Sequence, residues 1–185
     1  MTILNHKVAL VTGATGGLGR SISKKLAENG VHVFLTGRDT KKLKELLEAS
    51  ESYIGAESLD LRDTEKIKDL INRVHPDILV NCAGIFPVQS IEDTTEEIFN
   101  ETFEVNVRAP FILTKQASRY MKEKGWGRII NIASSSATQN DFLVQLKAAI
   151  ESASGHDGEI IVSAVPSAVS GAQSITLTQA ITGTN

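Results

Sequence analysis

Through its first 133 residues the chain alternates short apolar runs with longer amphipathic ones. Residues 7–12, Lys7-Val-Ala-Leu-Val-Thr12, are nearly all apolar, the pattern of a strand buried on both faces. Leu18, Ile22 and Leu26 follow at helical spacing and predict a helix over 17–29, stopped by Gly30. A second strand is predicted over 31–36. A helix over 40–49 follows, with Leu43, Leu46 and Leu47 on one face. The third strand is expected over 56–61. Asp63 is placed to cap a helix that runs to Val74 and ends before Pro76. A fourth strand is predicted over 77–81. A long helical stretch over 94–124 is expected to bend or break near Pro110, and a fifth strand covers 127–133. Strand–helix alternation of this kind predicts the α/β class: a doubly wound parallel sheet in three αβα layers.

After Ser134 the pattern weakens. Residues 143–153 read as a short helix and 158–165 as a sixth strand, while 166–185 carry no charge and no clear period. The whole chain, 1–185, is read as one domain, well patterned to residue 136 and irregular beyond it. A net charge of −3 gives no basic field for a nucleic-acid backbone. No apolar run approaches the about 20 residues that a membrane helix needs, and the first residues lack a secretory pattern. The single cysteine, Cys82, fits a reducing compartment and reads as a small buried filler. A cytoplasmic protein is expected. Four scattered histidines lack ligand spacing, so no metal site is assigned.

The segment Thr12-Gly-Ala-Thr-Gly-Gly-Leu-Gly19 joins the first strand to the first helix. A helix N-terminus offers unpaired N–H groups and a partial positive charge to a pyrophosphate. Glycines let the backbone turn tightly and come close to the phosphates. A tight strand-to-helix turn without a ligand would use the same residues. The loop is not of the NTPase type, since no Gly-Lys-Ser/Thr follows.

The spacing Gly13-x-x-x-Gly17-x-Gly19, with Thr15 and Leu18 inside it, resembles the fingerprint of the short-chain dehydrogenase/reductase family, whose fold is of the Rossmann type. Asn81-Cys-Ala83-Gly84 resembles that family's Asn-Asn-Ala-Gly motif, with Cys82 in place of the second Asn. Asp60-Leu61 stands where the family contacts adenine, with a solvated loop acid as the lesser alternative for Asp60. Asn106 in Glu-Val-Asn-Val107 matches the active-site Asn, although without the family context it reads better as a solvent-facing helix residue. Gly127-Arg-Ile-Ile-Asn-Ile-Ala-Ser134 matches the fifth strand and its serine.

The resemblance implies binding of NAD(P)(H) and hydride transfer between the nicotinamide and a carbonyl or secondary alcohol. The second strand ends Leu35-Thr-Gly37-Arg38, with Gly37 at the family's acid position and Arg38 beside it. An Arg pairs with a 2′-phosphate, so NADP(H) is favoured over NAD(H); Asp39 is the competing ribose-binding acid. Ser134, with Ser135 as fallback, is the implied substrate-binding serine. Asn106 and Lys147 are the implied partners of a proton relay. The family's tyrosine acid is missing: only Tyr53 and Tyr120 exist, both before the fifth strand, and Leu143 stands four residues before Lys147. The last third reads like a family member with pieces removed. A non-catalytic or regulatory dinucleotide-binding protein is the alternative; a serine hydrolase is disfavoured, since no Gly-x-Ser-x-Gly elbow occurs. Family members pair through two long helices; here the first, around Phe99, Phe103, Phe111 and Leu113, is intact and the second is shortened, so an exposed apolar patch and a weak or altered homo-oligomer are expected.

Overall fold

The computed structural model describes residues 4–88, 90, 92–133, 160–162 and 177–179. The chain divides into two compact units, 1–132 and 133–185. In the first, five strands form one parallel sheet: β1 (Val8–Val11), β2 (His32–Gly37), β3 (Tyr53–Ser58), β4 (Ile78–Asn81) and β5 (Arg128–Asn131). Their order across the sheet is β3-β2-β1-β4-β5. Leu10 on β1 aligns with Phe34 on β2 and Leu79 on β4. The expected αβα architecture is therefore present.

Alternation along β1 explains its near-continuous apolar sequence. Ala9 and Val11 enter one core with Val33, Leu35 and Val80, closed by Leu43 and Leu46 of helix α2 (Thr40–Leu47) and by Ile22 and Leu26 of α1 (Gly17–Glu28). Leu10 enters the opposite core with Leu79, Ile67 and Leu70 of α3 (Thr64–Val74) and with Leu113 and Ala117 of α5 (Ala109–Lys124). Helix starts follow the cap residues: Asp39 accepts from Lys42 N–H at 3.0 Å and Asp63 from Lys66 N–H at 3.1 Å.

Three expectations shift. β3 begins at Tyr53 and ends at Ser58, earlier than the 56–61 expected. Tyr53 is buried, and Leu59 leaves the sheet to join the α3-side core, so its apolar character belongs to a loop. The long helix does not break near Pro110. It runs as α4 (Glu96–Phe103), a π-helical turn (Glu104–Arg108) and α5. Pro110 has no N–H, and the wider turn just before it absorbs that loss. Leu113 is fully buried and does not join an outer patch; it lies on the same face as Ala109, Ala117 and Met121, against the sheet. Phe99, Phe103 and Phe111 do face outward. In the second unit, β6 (Ile160–Val162) lies within the span expected for a sixth strand and pairs antiparallel with β7 (Leu177–Gln179), while the rest of that span lies outside the described residues. The helix expected over 143–153 lies outside the described residues.

Asp77 ties the amino ends of the strands together. Its carboxylate accepts from Val8 N–H at 2.9 Å and from Lys124 Nζ at 2.9 Å, and its own N–H donates to Val8. Burial pushes its pKa up, but the Val8 N–H and the Lys124 ammonium outweigh burial and hold it below the ordinary carboxylate range. A depressed folded-state pKa adds stability above the ordinary range, and that stability is lost as pH falls through it. Asp77→Ala is expected to cost about 1–3 kcal/mol in urea unfolding at neutral pH, because a buried N–H loses its acceptor. The deficit should shrink as pH falls below the ordinary carboxylate range, where the unfolded chain's Asp77 takes up a proton before the folded one does.

Candidate functional site

In an open parallel sheet, ligands bind beyond the carboxyl ends of strands where the winding direction reverses. Here that point lies between β1 and β4, which carry the chain to opposite sides. Thr12 fixes the crevice. Its hydroxyl oxygen accepts from Cys82 N–H at 3.0 Å and Ala83 N–H at 3.1 Å, while the hydroxyl donates to Val80 O. The end of β4 is thereby clasped to the end of β1.

Gly13 follows with φ +67°, and a Cβ there would stand 2.8 Å from Ala83 Cα. Both the backbone angle and the space require glycine. Gly19 is also demanded by the loop itself, since its Cβ would strike the Gly13 carbonyl. Gly17 is different: nothing lies within 4 Å of a Cβ placed on it, so its lack of a side chain leaves outer space clear. The α1 N-terminus beside it has Gly16 at the cap with no side-chain hydrogen bond. α2, α3 and α4 are capped by Asp39, Asp63 and Thr95. The glycine-loop helix thus leaves its first N–H groups without a side-chain acceptor. Leu18, about half exposed, flanks them.

A groove of about 450 Å³ runs from this loop along the strand ends. It brings together Gly13, Thr15, Arg38, Asp60, Leu61, Ala83 and Gly84 from the sequence-predicted set. Asn81 is buried behind it and donates to Asn131 Oδ1 at 2.7 Å, while its own Oδ1 is buried with no hydrogen-bond partner among the described residues. Asn106 lies outside the groove lining but grips it. Its side chain donates to Ile85 O at 2.7 Å and accepts from Ile85 N–H at 2.9 Å. Ser134 and Lys147 lie outside the described residues.

The polar end of the groove resolves the Asp39 question. Asp39 is the α2 cap, and its carboxylate also pairs with Lys42 at 3.2 Å. Arg38 has no hydrogen-bond or ion-pair partner for its guanidinium among the described residues, so it is the group free to meet an anion. Asp60 is held by Arg62, whose hydrogen bonds and charge lower its pKa to about 2. Cys82 lines the groove, and burial pushes its thiol pKa up, in keeping with a filler and not a reactive thiolate. The two tyrosines stand elsewhere: Tyr53 is in the sheet core and Tyr120 donates to Asn72 on α3. Sequence reasoning missed Gly16, Arg62 and Glu101 as lining residues. Only Gly16 carried a signal, as the first glycine of a Gly-Gly pair at a helix start.

The residues present fit a dinucleotide: an uncapped helix N-terminus for pyrophosphate, cleared space over Gly17, and an unpaired guanidinium near the second strand's end. A parallel sheet with this loop at its switch point defines a nucleotide-binding α/β domain of the Rossmann type. The chain belongs to the short chain dehydrogenase family, whose model matches residues 7–149.

An uncharacterized oxidoreductase of Thermotoga maritima is 39% identical over 134 residues, covering 69% of this chain and 53% of that protein. D-beta-hydroxybutyrate dehydrogenase of Cupriavidus necator is 38% identical over 141 residues, covering 71% and 54%. Among solved structures, a blue fluorescent protein from a metagenomic library in complex with NADPH superposes with a TM-score of 0.66. It is 31% identical, with 72% of this chain and 58% of that one covered. The chain spans about half the length of the curated relatives it matches. Among the described residues, no helix is long and apolar enough to cross a membrane.

Gly13→Ala is expected to destabilise the first unit by about 1–3 kcal/mol in chemical unfolding, through the left-handed backbone and the Ala83 contact. Gly17→Ala should be neutral or stabilising by up to about 1 kcal/mol, since alanine is the better helix former and nothing lies within 4 Å of the added Cβ.

Proposed function

We propose that this chain binds NADP(H) in the β1/β4 groove, in preference to NAD(H), and descends from oxidoreductases acting on a small carbonyl compound or secondary alcohol. The observation that carries the reading is the uncapped α1 N-terminus under Gly17, with the unpaired Arg38 beyond it. NADPH in a related structure supports it.

In this reading the loop from Gly13 to Gly19 and the α1 N–H groups hold the pyrophosphate. Arg38 pairs with the 2′-phosphate. Asp60 and Leu61 face the adenine, and Ala83 and Gly84 form the floor, with Asn81 buried behind them. Asn106 keeps the Ile85 backbone in place. Ser134 would meet the substrate oxygen and Lys147 the ribose, both by family resemblance. The bound cofactor supplies the hydride donor or acceptor. The exposed Phe99, Phe103 and Phe111 are proposed to pair copies of the chain. A cytoplasmic location goes with this reading.

Turnover is proposed to be slow. Reduction of a ketone leaves an alkoxide that needs a proton as it forms, and Leu143 at the position of the family's acid cannot give one. Loss of a positioned acid typically costs about 10²–10⁴ in rate. Binding without turnover is the second reading, and Leu143 is what favours it.

Titration calorimetry on the 185-residue chain should detect NADPH binding. Gly17→Val should abolish it with the melting temperature little changed. If the parent chain binds neither NADPH nor NADH, the reading falls. Arg38→Ala should weaken NADPH by about 1.5–3 kcal/mol and leave NADH nearly unchanged. Ketone reduction should run at least about 100-fold below a relative with the intact Tyr-x-x-x-Lys stretch. Ordinary turnover would demand another proton donor.

A further inference from the structure

Six charged side chains line the groove: Arg38, Asp39, Lys42, Asp60, Arg62 and Glu101. Five of them are committed to one another. Asp39 pairs with Lys42 at 3.2 Å. Arg62 holds two acids: Nη2 lies 2.6 Å from Asp60 Oδ2, Nε lies 3.0 Å from Asp60 Oδ1, and Nη1 reaches Glu101 Oε1 at 3.3 Å. The Arg62 backbone N–H also donates to Asp60 Oδ1 at 2.9 Å, which fixes the carboxylate from a second direction. Arg38 is the remaining cation. Its carbonyl accepts from the Ser58 hydroxyl at 3.2 Å, but its guanidinium has no such partner among the described residues.

Arg38 and Asp60 are nonetheless within each other's field, since the Arg38 charge contributes to holding the Asp60 carboxyl low. A carboxylate without a partner next to a long, mobile guanidinium forms a two-pronged pair with it. A guanidinium so engaged has fewer donors and less net charge for a phosphate. Arg62 prevents this by covering both Asp60 oxygens first.

We propose that Arg62 is a specificity-determining positioning residue: by occupying Asp60, it keeps the Arg38 guanidinium open to a cofactor's 2′-phosphate. The inference rests on the NADP(H) reading above. It makes preference for the phosphorylated cofactor depend on a residue that need not touch the phosphate. Arg62, Asp60 and Glu101 are each about half exposed. Ion pairs of that kind are weak individually, so the effect is of modest size.

The test is the ratio of the dissociation constants for NADH and NADPH, read from the fluorescence of the reduced nicotinamide. Arg62→Ala is expected to lower the preference for NADPH about fivefold, because Asp60 then competes for Arg38. Adding Asp60→Asn to the same chain removes the competitor and should return the ratio toward the parent value, whatever it does to overall affinity. Arg62→Gln, which keeps the stem of the side chain, should show the same loss of ratio if the alanine variant melts early. An unchanged ratio overturns the proposal, as does equal weakening of both cofactors or a ratio that Asp60→Asn leaves low. A parent chain that binds both cofactors equally overturns it too. A parent chain that binds neither removes the NADP(H) reading itself and the proposal with it.

Discussion

Everything in the groove depends on the clasp that Thr12 makes across the top of the sheet. A threonine at the end of a buried strand has one hydroxyl, and here it serves three backbone groups of the neighbouring strand end. Cys82 N–H also reaches Val80 O at 3.1 Å, but Ala83 N–H would otherwise lack an acceptor in a partly buried place, at a cost of about 1–3 kcal/mol. By accepting both, Thr12 draws residues 82 and 83 against Gly13 until only glycine fits there. The floor and one wall of the groove are therefore one hydrogen-bonded object. Their closeness follows from the parallel order that puts β1 beside β4.

How much of this was legible in the sequence differs from residue to residue. The parallel sheet was legible because β1 and β4 are buried on both faces and so carry unbroken apolar runs. The Asp63 cap was legible because side-chain and backbone requirements fall within four consecutive residues. Asp39 was only half legible. Its distance from the glycines fits a ribose acid, but its place before a Lys/Leu/Glu helix fits a cap, and the cap is what forms. The start of β3 was not legible, since Leu59 and Leu61 look like strand residues while serving a loop, and Gly55 breaks the run from Tyr53. Arg62 was hidden for another reason. Its partner Glu101 is 39 residues away in the chain, and no local pattern announces a pairing of that range.

The long helix shows a local rule and a tertiary demand reaching a compromise. Proline in a helix interior removes a hydrogen bond and crowds the preceding turn. A break near Pro110 would have separated α4 from α5. Instead the helix widens by one residue over Glu104–Arg108, and the wide turn carries Asn106. Both polar atoms of that side chain are spent on the backbone of Ile85. Asn106 therefore acts here as a brace between helix and groove wall. The side chain is also exposed, so it holds the wall from the solvent side. An amide suits this because its planar head offers both a donor and an acceptor.

The arrangement also separates holding a nucleotide from transforming a substrate. Among the described residues, every lining residue of the groove falls between Gly13 and Val105, within one compact unit that ends at Ile132. Its strands, its two cores and its Thr12 clasp are all internal to that unit. The groups that family resemblance implies for proton transfer, Ser134 and Lys147, fall after it in the chain. Changes in the last third can therefore remove a proton donor without touching the geometry that receives a pyrophosphate. In the reading proposed above, the glycine loop, Asp60 and the Asn-Cys-Ala-Gly turn occur in one sequence with Leu143 at the acid's position, which such a separation permits. The constraint on the first unit is physical packing as much as ligand binding. Gly13 and Gly19 are demanded by the loop's own fold, so they would persist even where the cofactor had ceased to matter. Gly17 and Arg38 have no such structural demand upon them, which makes these two the residues whose retention speaks for a ligand.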